Sequence, residues 1–388
     1  MDRAAVTVAT GTTASGIAYQ VGGGGYPDLL LVPDGLLPMV ALRELAHYVR
    51  FLAQLGRLGR LVLFDRRGIG ASIRAGRTGP WGLAEWADDA AEVLTAVGSA
   101  RAVVVGLAEG AMTAVVLAAR HPEAVAALVL VNATPGPGCG GLARRGEGPR
   151  YIEYLRSNLH RGWLADPPGL EVIAPSLGRD PAFSAWLTAA FRRAGDARKF
   201  LPTFDLALRS DVRGDLGMVR CPTLVVHRRG DAWFAADHGR VLAGAISQAR
   251  YVELPGADHA PYVGATQDLF HTVRWFLAEI FPSLVPTNTG DLTGDDLRLT
   301  ARQAQILGMV RAGLSDREVA ARMGISHRTV QKHLELAYRR LGVRNRTAAA
   351  LMAAAAGSAR PAQGTVPAPP RRGPESRALL DGPGPKHY

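Results

Sequence analysis

Near the end of the chain, His327, Arg328, Gln331, Lys332, Glu335 and Arg339 fall on one face of a helical repeat. Val330, Leu334, Ala337 and Leu341 fall on the other. The polar set can do the chemistry of base reading. Arg and Lys donate to guanine edges and to phosphates, and Gln pairs with adenine. A helix with one dry stripe and such a face has the shape of a major-groove reader. A second helix must hold it in place. Ser315-Asp316-Arg317-Glu318 has the Ser and Glu spacing of a capping box, so a helix starts there. Val319, Ala320 and Met323 continue it at helical spacing. Gly324 ends it, because glycine takes the left-handed C-cap without a Cβ penalty. Ile325 plugs the turn and Ser326 caps the reading helix. The pattern is a helix-turn-helix.

From Leu299 to Arg346 the stretch resembles the LuxR-type DNA-binding domain. The resemblance rests on four blocks: Leu299 to Arg302, Gly313 to Ala320, Ile325 to His333, and Leu341 to Arg346. One departure is Gln303, where the family usually has Glu, and it leaves one supporting polar contact open. The resemblance implies double-stranded DNA as partner. The expected contact set is Ser326, His327, Arg328, Thr329, Gln331, Lys332, Arg339, Arg344 and Arg346. Thr329 would meet a phosphate through its hydroxyl, and Arg344 and Arg346 lie past the helix, placed for phosphates. The resemblance also implies a homodimer on DNA, paired through a last helix from Thr347 to Ala355.

Charge follows the same division. The chain has 388 residues and a net charge of +11. Residues 297–356 hold 11 Arg and Lys against 3 Asp and Glu, and residues 357–388 hold 5 against 2. The residues before Leu297 hold 29 of each, a net of zero. A neutral body with a basic terminal module points to a polyanion partner for that module alone. The two cysteines, Cys139 and Cys221, give neither a disulfide framework nor a metal cluster. No metal site and no cofactor are expected. Without a signal pattern or a long apolar run, the expectation is a cytoplasmic protein with no membrane partner.

The earlier part of the chain alternates strands and helices. Ile17–Val21, Leu29–Val32, Leu61–Phe64, Ala102–Val105, Leu128–Val131, Thr223–Val226 and Tyr251–Leu254 read as strands. Leu42–Leu55, Trp86–Val97, a stretch ending near Arg120, and Leu269–Ile280 read as helices. Continuous apolar strands between helices predict an α/β fold, a parallel doubly wound sheet covered on both faces. The rhythm stops over residues 136–219, where Tyr151, Tyr154, Leu155, Trp163, Trp186 and Phe191 mark a helical cap. The predicted organisation is a first domain over 1–281, a linker over 282–296, an all-α domain over 297–356 and a disordered tail over 357–388.

Three blocks in the first domain resemble the α/β-hydrolase family. Asp65 to Ser72 is similar to its D-x-R-G-x-G-x-S turn. Val104 to Gly110 stands in the place of the nucleophile elbow, G-x-S-x-G. Asp231 and His259 stand where the family keeps its acid and histidine. The elbow here is Gly106-Leu107-Ala108-Glu109-Gly110, with Ala108 at the nucleophile position. A methyl group cannot attack a carbonyl, so the covalent acyl-enzyme route is closed. The triad positions Ala108, Asp231 and His259 are therefore degenerate, and no catalytic residue is expected. The remaining groups could recognise a ligand. The backbone N–H of Glu109 and one from the loop Asp34-Gly35-Leu36 would make a donor pair, with His259 and Glu109 beside it. His227 reads as structural.

The leading expectation is a transcriptional regulator whose inactive hydrolase-like domain senses a small molecule or mediates assembly. Two alternatives stay open. One is a serine-independent hydrolase fused to a DNA-binding domain, with His259 activating water. The other is a front domain that only dimerises.

Overall fold

The computed structural model describes residues 8–34, 37–75, 81–137, 170–178, 180–195, 206, 209–264, 266–281, 300–311 and 314–341. The chain divides into two compact units, Met1–Asn288 and Thr289–Tyr388. Gly35, Leu36, the linker 282–296, Arg344, Arg346, the Thr347–Ala355 stretch and the tail lie outside the described residues, as do Tyr151, Tyr154, Leu155 and Trp163.

The first unit is built on an eight-stranded sheet. Its strands are β1 (Ala9–Thr12), β2 (Ala18–Gly22), β3 (Asp28–Val32), β4 (Arg60–Phe64), β5 (Ala102–Leu107), β6 (Val125–Val131), β7 (Thr223–Arg228) and β8 (Ala249–Leu254). They lie in the order β1-β2-β4-β3-β5-β6-β7-β8. From β4 to β8 along that order all pairs are parallel, whereas β1 and β2 are antiparallel additions at one edge. Successive side chains on a strand face opposite ways. Leu29, Leu31, Val103, Val105 and Val129 therefore enter one core layer, and Leu30, Val32, Val104, Leu128 and Leu130 the other.

Helices α1 (Met39–Leu42), α2 (Ala46–Leu55) and α8 (Thr266–Ile280) cover the first layer. Helices α3 (Leu83–Ala96), α4 (Gly110–Arg120) and α7 (Ala236–Ala245) cover the second. Burying both faces of the strands explains their continuous apolar runs. Each fully buried large apolar side chain, such as Phe64, Leu29 or Leu31, contributes about 1.5–3 kcal/mol.

Within the expected cap, α5 (Leu170–Ile173) and α6 (Pro181–Ala194) are described. Asp180 caps α6 by accepting from Ala182 N at 2.8 Å, and Pro181 opens the helix where no donor is needed. The helix buries Phe183 and Trp186, and Trp186 Nε1 donates to Ala41 O at 2.8 Å.

The structure departs from the expectation in three places. The Leu42–Leu55 helix is two helices, because Leu45 is extended at φ −88°, ψ 119°. Leu42 and Leu45 are both buried across this break, so their periodicity hides it. Strand β1 has no apolar alternation and is mostly exposed, so nothing in its pattern marked it. Helix α7 carries two glycines, which weaken a helical reading.

The second unit contains α9 (Ala301–Arg311), α10 (Asp316–Met323) and α11 (His327–Leu341). Their shared core is Ile306, Leu307, Val310, Val319, Ala320, Val330, Leu334 and Ala337. The capping box closes as expected. Glu318 N donates to Ser315 Oγ at 3.4 Å, and Ser315 N donates to Glu318 Oε2 at 2.7 Å. Gly324 takes φ +62°. Thr329 N donates to Ser326 Oγ at 3.0 Å. The departure at Gln303 is neutral in its effect. Thr300 N donates to Gln303 Oε1 at 2.9 Å, and Gln303 N donates to Thr300 Oγ1 at 3.2 Å. The amide oxygen thus makes the reciprocal cap that a Glu carboxylate makes.

Candidate functional site

β5 ends at Leu107 and α4 begins at Gly110, so only Ala108 and Glu109 make the turn. Ala108 sits at φ +50°, in the left-handed region, with its methyl fully buried. Its N–H donates to Val131 O at 2.9 Å. The flanking glycines answer to close approach. A Cβ on Gly106 would lie 2.6 Å from Ala111 Cα, and one on Gly110 would lie 2.4 Å from Pro33 O.

The acid and the histidine meet. His259 Nδ1–H donates to Asp231 Oδ2 at 2.8 Å, which leaves Nε2 for the site. The other carboxylate oxygen, Asp231 Oδ1, accepts from Trp233 N at 2.9 Å and Phe234 N at 3.1 Å. Burial raises the Asp231 carboxyl, but the His259 charge and hydrogen bonds from His227 and His259 outweigh it and hold it down at about 2. For His259 burial favours the neutral ring. The Asp231 charge and hydrogen bond overcome it and raise its pKa, with Glu109 and Asp34 adding to the effect. His227 Nε2–H donates to Phe234 O at 2.8 Å. It therefore ties down the turn that carries Asp231, as its structural reading anticipated.

The histidine loop is held from below by two buried residues at strand ends. Arg228 Nη1 donates to Asp258 O at 2.9 Å and Ala260 O at 3.1 Å, and Nη2 donates to Val263 O at 2.7 Å. Asn132 Nδ2 donates to His259 O at 2.7 Å, while Asn132 Oδ1 accepts from Arg228 N at 3.0 Å. Neither residue was marked by the sequence. An Arg or Asn at a strand end has no spacing signature, and their partners lie at least 30 residues away.

A second polar group gathers beside the elbow. Asp34 follows β3 and is only 6% exposed. Tyr48 OH, from α2, lies 3.5 Å from Asp34 Oδ1, and Tyr262 also hydrogen-bonds the same carboxyl. The two phenol rings pack at 4.2 Å. Burial, and then the charge of Glu109, push the Asp34 carboxyl up to about 7. Glu109 is itself buried. Arg66 is buried next to them. Its Nη2 donates to Pro33 O at 2.7 Å, and its guanidinium lies 5.4 Å from the Trp86 ring centroid. The fields of Glu109 and Asp34 act on it. Half-buried Phe234 and Trp233 pack against the His259 ring at 5.0 and 6.0 Å.

Of the expected ligand groups, Asp34, Glu109 and His259 are thus brought together around Ala108. Tyr48, Tyr262 and Arg66 join them and were not anticipated. The two tyrosines look like ordinary core residues on apolar stretches. Arg66 sits next to Arg67, the arginine of the family turn, which instead pairs with Asp89.

In the second unit Ser326, just before α11, and His327, Arg328, Gln331 and Lys332 on it are exposed, with Thr329 half-buried. Val330 and Leu334 face inward. Ser326 Oγ and Thr329 Oγ1 lie 2.8 Å apart at the start of the helix. Arg339 lies on the same helix, beyond them. Among the described residues no His, Cys, Asp and Glu group could hold a metal ion, and no helix is long and apolar enough to cross a membrane.

These features match two families in two places. Residues 29–272 match the alpha/beta hydrolase family, and the chain belongs to it. Residues 297–353 match the bacterial regulatory proteins of the luxR family, so a helix-turn-helix domain of that family follows the hydrolase domain. A Klebsiella pneumoniae protein provisionally named carbamate hydrolase RutD is 30% identical over 219 residues, covering 55% of this chain and 79% of that protein. An Escherichia coli protein provisionally named HTH-type transcriptional regulator YhjB is 54% identical over 54 residues, 14% of this chain and 27% of that protein. The crystal structure of a hydrolase from Pseudomonas aeruginosa PA01 superposes with a TM-score of 0.56 at 26% identity, covering 70% of this chain and 99% of that one.

Proposed function

We propose that this protein is a DNA-binding transcriptional regulator whose hydrolase-fold domain binds a small molecule without turning it over. The observation that carries the reading is Ala108. The elbow keeps its positive φ and its flanking glycines, and the Asp231–His259 pair is formed, yet the side chain at the turn is a methyl. The binding frame is present and the nucleophile is not. The exposed polar face of α11, on a unit with its own core, supports DNA as the partner of the second domain, bound as a homodimer on paired half-sites.

Two arms test this. On short p-nitrophenyl esters the purified protein turns over at background, and His259→Ala changes nothing. Robust wild-type hydrolysis abolished by His259→Ala overturns the reading. In the other arm, binding to selected and random duplexes is titrated with salt. Gln331→Ala relaxes preference at one base pair by ~1–3 kcal/mol. Lys332→Ala lowers the salt slope by about 0.9 if it meets a phosphate. If neither variant alters binding, α11 is not the reader.

A further inference from the structure

We infer that Glu335 is a specificity-determining residue of the helix-turn-helix unit. Its carboxylate selects a cytosine at one base pair of the target site and opposes binding to other sequences. The inference rests on the DNA-binding reading above and names what one further residue of that face recognises.

Helix α11 carries a single acid, Glu335, against Arg328, Lys332, Arg339 and Arg340. Arg328, Gln331, Lys332 and Glu335 stand at i, i+3, i+4 and i+7, which at about 3.6 residues per turn is one face of a helix. A recognition helix offers four side chains to base edges at this spacing. Around the axis Glu335 falls about 20° from Arg328, between Gln331 and Lys332. All four residues are exposed, while Val330, Leu334 and Ala337 are buried on the other side. The acid therefore sits in the middle of the polar face, about 5 Å along the axis beyond Gln331 and Lys332.

A carboxylate in this place is a poor partner for DNA in general. It repels phosphates, and it has no proton to give to an acceptor on a base edge. In the major groove guanine shows only acceptors, and thymine shows an acceptor and a methyl group. Adenine sets its N7 acceptor beside its amino group. Cytosine alone presents an amino donor with no acceptor on its own edge. Cytosine thus gives Glu335 a charge-assisted hydrogen bond, and the other bases leave the carboxylate against acceptors. Discrimination of this kind comes from repulsion of the wrong sequence as well as attraction to the right one. Glu335 already interacts within the protein. At an exposed position such an interaction contributes little, so exchanging it for a cytosine amino group costs little. Removing Arg328 or Lys332 takes away an attraction to any duplex. Removing Glu335 takes away a repulsion, so its effect on random DNA has the opposite sign.

The test uses the full chain. Wild type and Glu335→Ala are each used to select binding sites from a pool of randomised duplexes. Alanine suits a helix, and the position is exposed, so both proteins should melt together. The wild-type pool is expected to fix a cytosine at one position where the variant pool shows none. In titrations the variant should lose about tenfold of the preference for that base pair and keep the others within about twofold. Its binding to random duplexes should tighten about threefold at about 0.1 M salt. N4-methylcytosine at the selected position replaces the groove-facing amino hydrogen with a methyl group. It should weaken the wild type about tenfold and leave Glu335→Ala within about twofold. Equal base preferences in the two pools overturn the assignment of Glu335 and leave DNA reading by α11 standing. So does a wild type indifferent to N4-methylcytosine. A variant that melts earlier and binds selected and random duplexes equally more weakly also overturns it, because Glu335 then serves only the helix. A wild-type pool with no preference at any position overturns both readings.

Discussion

Of the turns that hold a residue at positive φ between consecutive elements, the one before α11 and the one before α4 do so differently. Between α10 and α11 the residue is Gly324, at φ +62°. Between β5 and α4 it is Ala108, at φ +50°. A Cβ at Gly324 would meet nothing within 4 Å, so glycine stands there for its backbone alone. Ala108 carries a Cβ into a region that costs an L-residue roughly 1–2 kcal/mol. Its methyl is buried and performs no chemistry. The difference teaches what each turn is for. The second turn only redirects the chain to present α11. The first is held strained because its shape aims the N-terminus of α4 and Glu109 at the histidine loop, and strain of this kind persists where the surroundings over-determine it.

The largest effect should come from the support of that loop. Arg228 is buried and bonds to the carbonyls on either side of His259. Arg228→Met keeps much of the volume and removes the cation, leaving Asp258 buried without its charge partner. Breaking a buried pair costs about 3–5 kcal/mol. For a unit of this size that is a loss of roughly 10 °C in Tm. At the Gly324 turn the corresponding support is one exposed bond, from Arg302 Nη2 to Met323 O at 3.1 Å. A thermal scan in which Arg228→Met melts with the wild type would break the contrast, since the strained turn would then have no rigid partner to face.

A smaller effect separates the carboxylates of the two units by pH. Hydrogen bonds from Ser315 lower the exposed Glu318 of the second unit. Burial and Glu109 push Asp34 of the first unit up to about 7. The sign follows from proton counts. Between the unfolded value near 4 and about 7, folded Asp34 holds a proton that the unfolded chain has lost. Its contribution to stability therefore falls as pH rises through this window and is flat above it. Asp65, pushed up to about 6 mainly by burial, adds a weaker slope of the same sign. Asp231, held at about 2, acts oppositely, and its contribution disappears only as pH falls from about 4 toward 2. Asp34→Asn should remove most of the decline between about pH 4 and 7 and leave the variant more stable at pH 8, by on the order of a few kcal/mol. Melting temperatures across that range check it. A wild-type slope that survives the substitution would place the titrating group elsewhere.

What could be read from the sequence follows what is local. The capping box at Ser315, the stop at Gly324 and the inward stripe of α11 are all set by neighbours within four residues. The buried strands announce themselves because both faces are covered. The elbow and the acid–histidine pair were legible only through their spacing against a known family. The rest of the site was not, because it is assembled from distant places. Tyr48 and Tyr262 read as core, and only the folded chain brings their hydroxyls to Asp34. Arg66 and Arg67 are adjacent and chemically identical in the sequence. One is buried against Pro33 and the other pairs with Asp89, which is decided by where α3 and the elbow lie. Asp34 was expected to matter through its backbone. The structure puts its carboxyl at the centre instead.

The smallest effect tests the two turns directly, by exchanging their residues. Gly324→Ala places a Cβ at φ +62° with open space around it, so packing neither helps nor hinders. The cost is the backbone penalty alone, about 1 kcal/mol, and α10 loses its preferred C-cap. Ala108→Gly does the reverse at φ +50°. It relieves a strain of about 1 kcal/mol, but it removes a buried methyl worth about 0.8 kcal/mol and frees the unfolded chain. These terms nearly cancel, so the net change should stay within about 0.5 kcal/mol. Urea denaturation followed by circular dichroism reads both. Equal and opposite changes would mean that the two turns are the same device with interchangeable residues. A loss at Gly324 with little change at Ala108 would mean that the methyl has become a packing residue, held in a turn whose shape is fixed by what surrounds it.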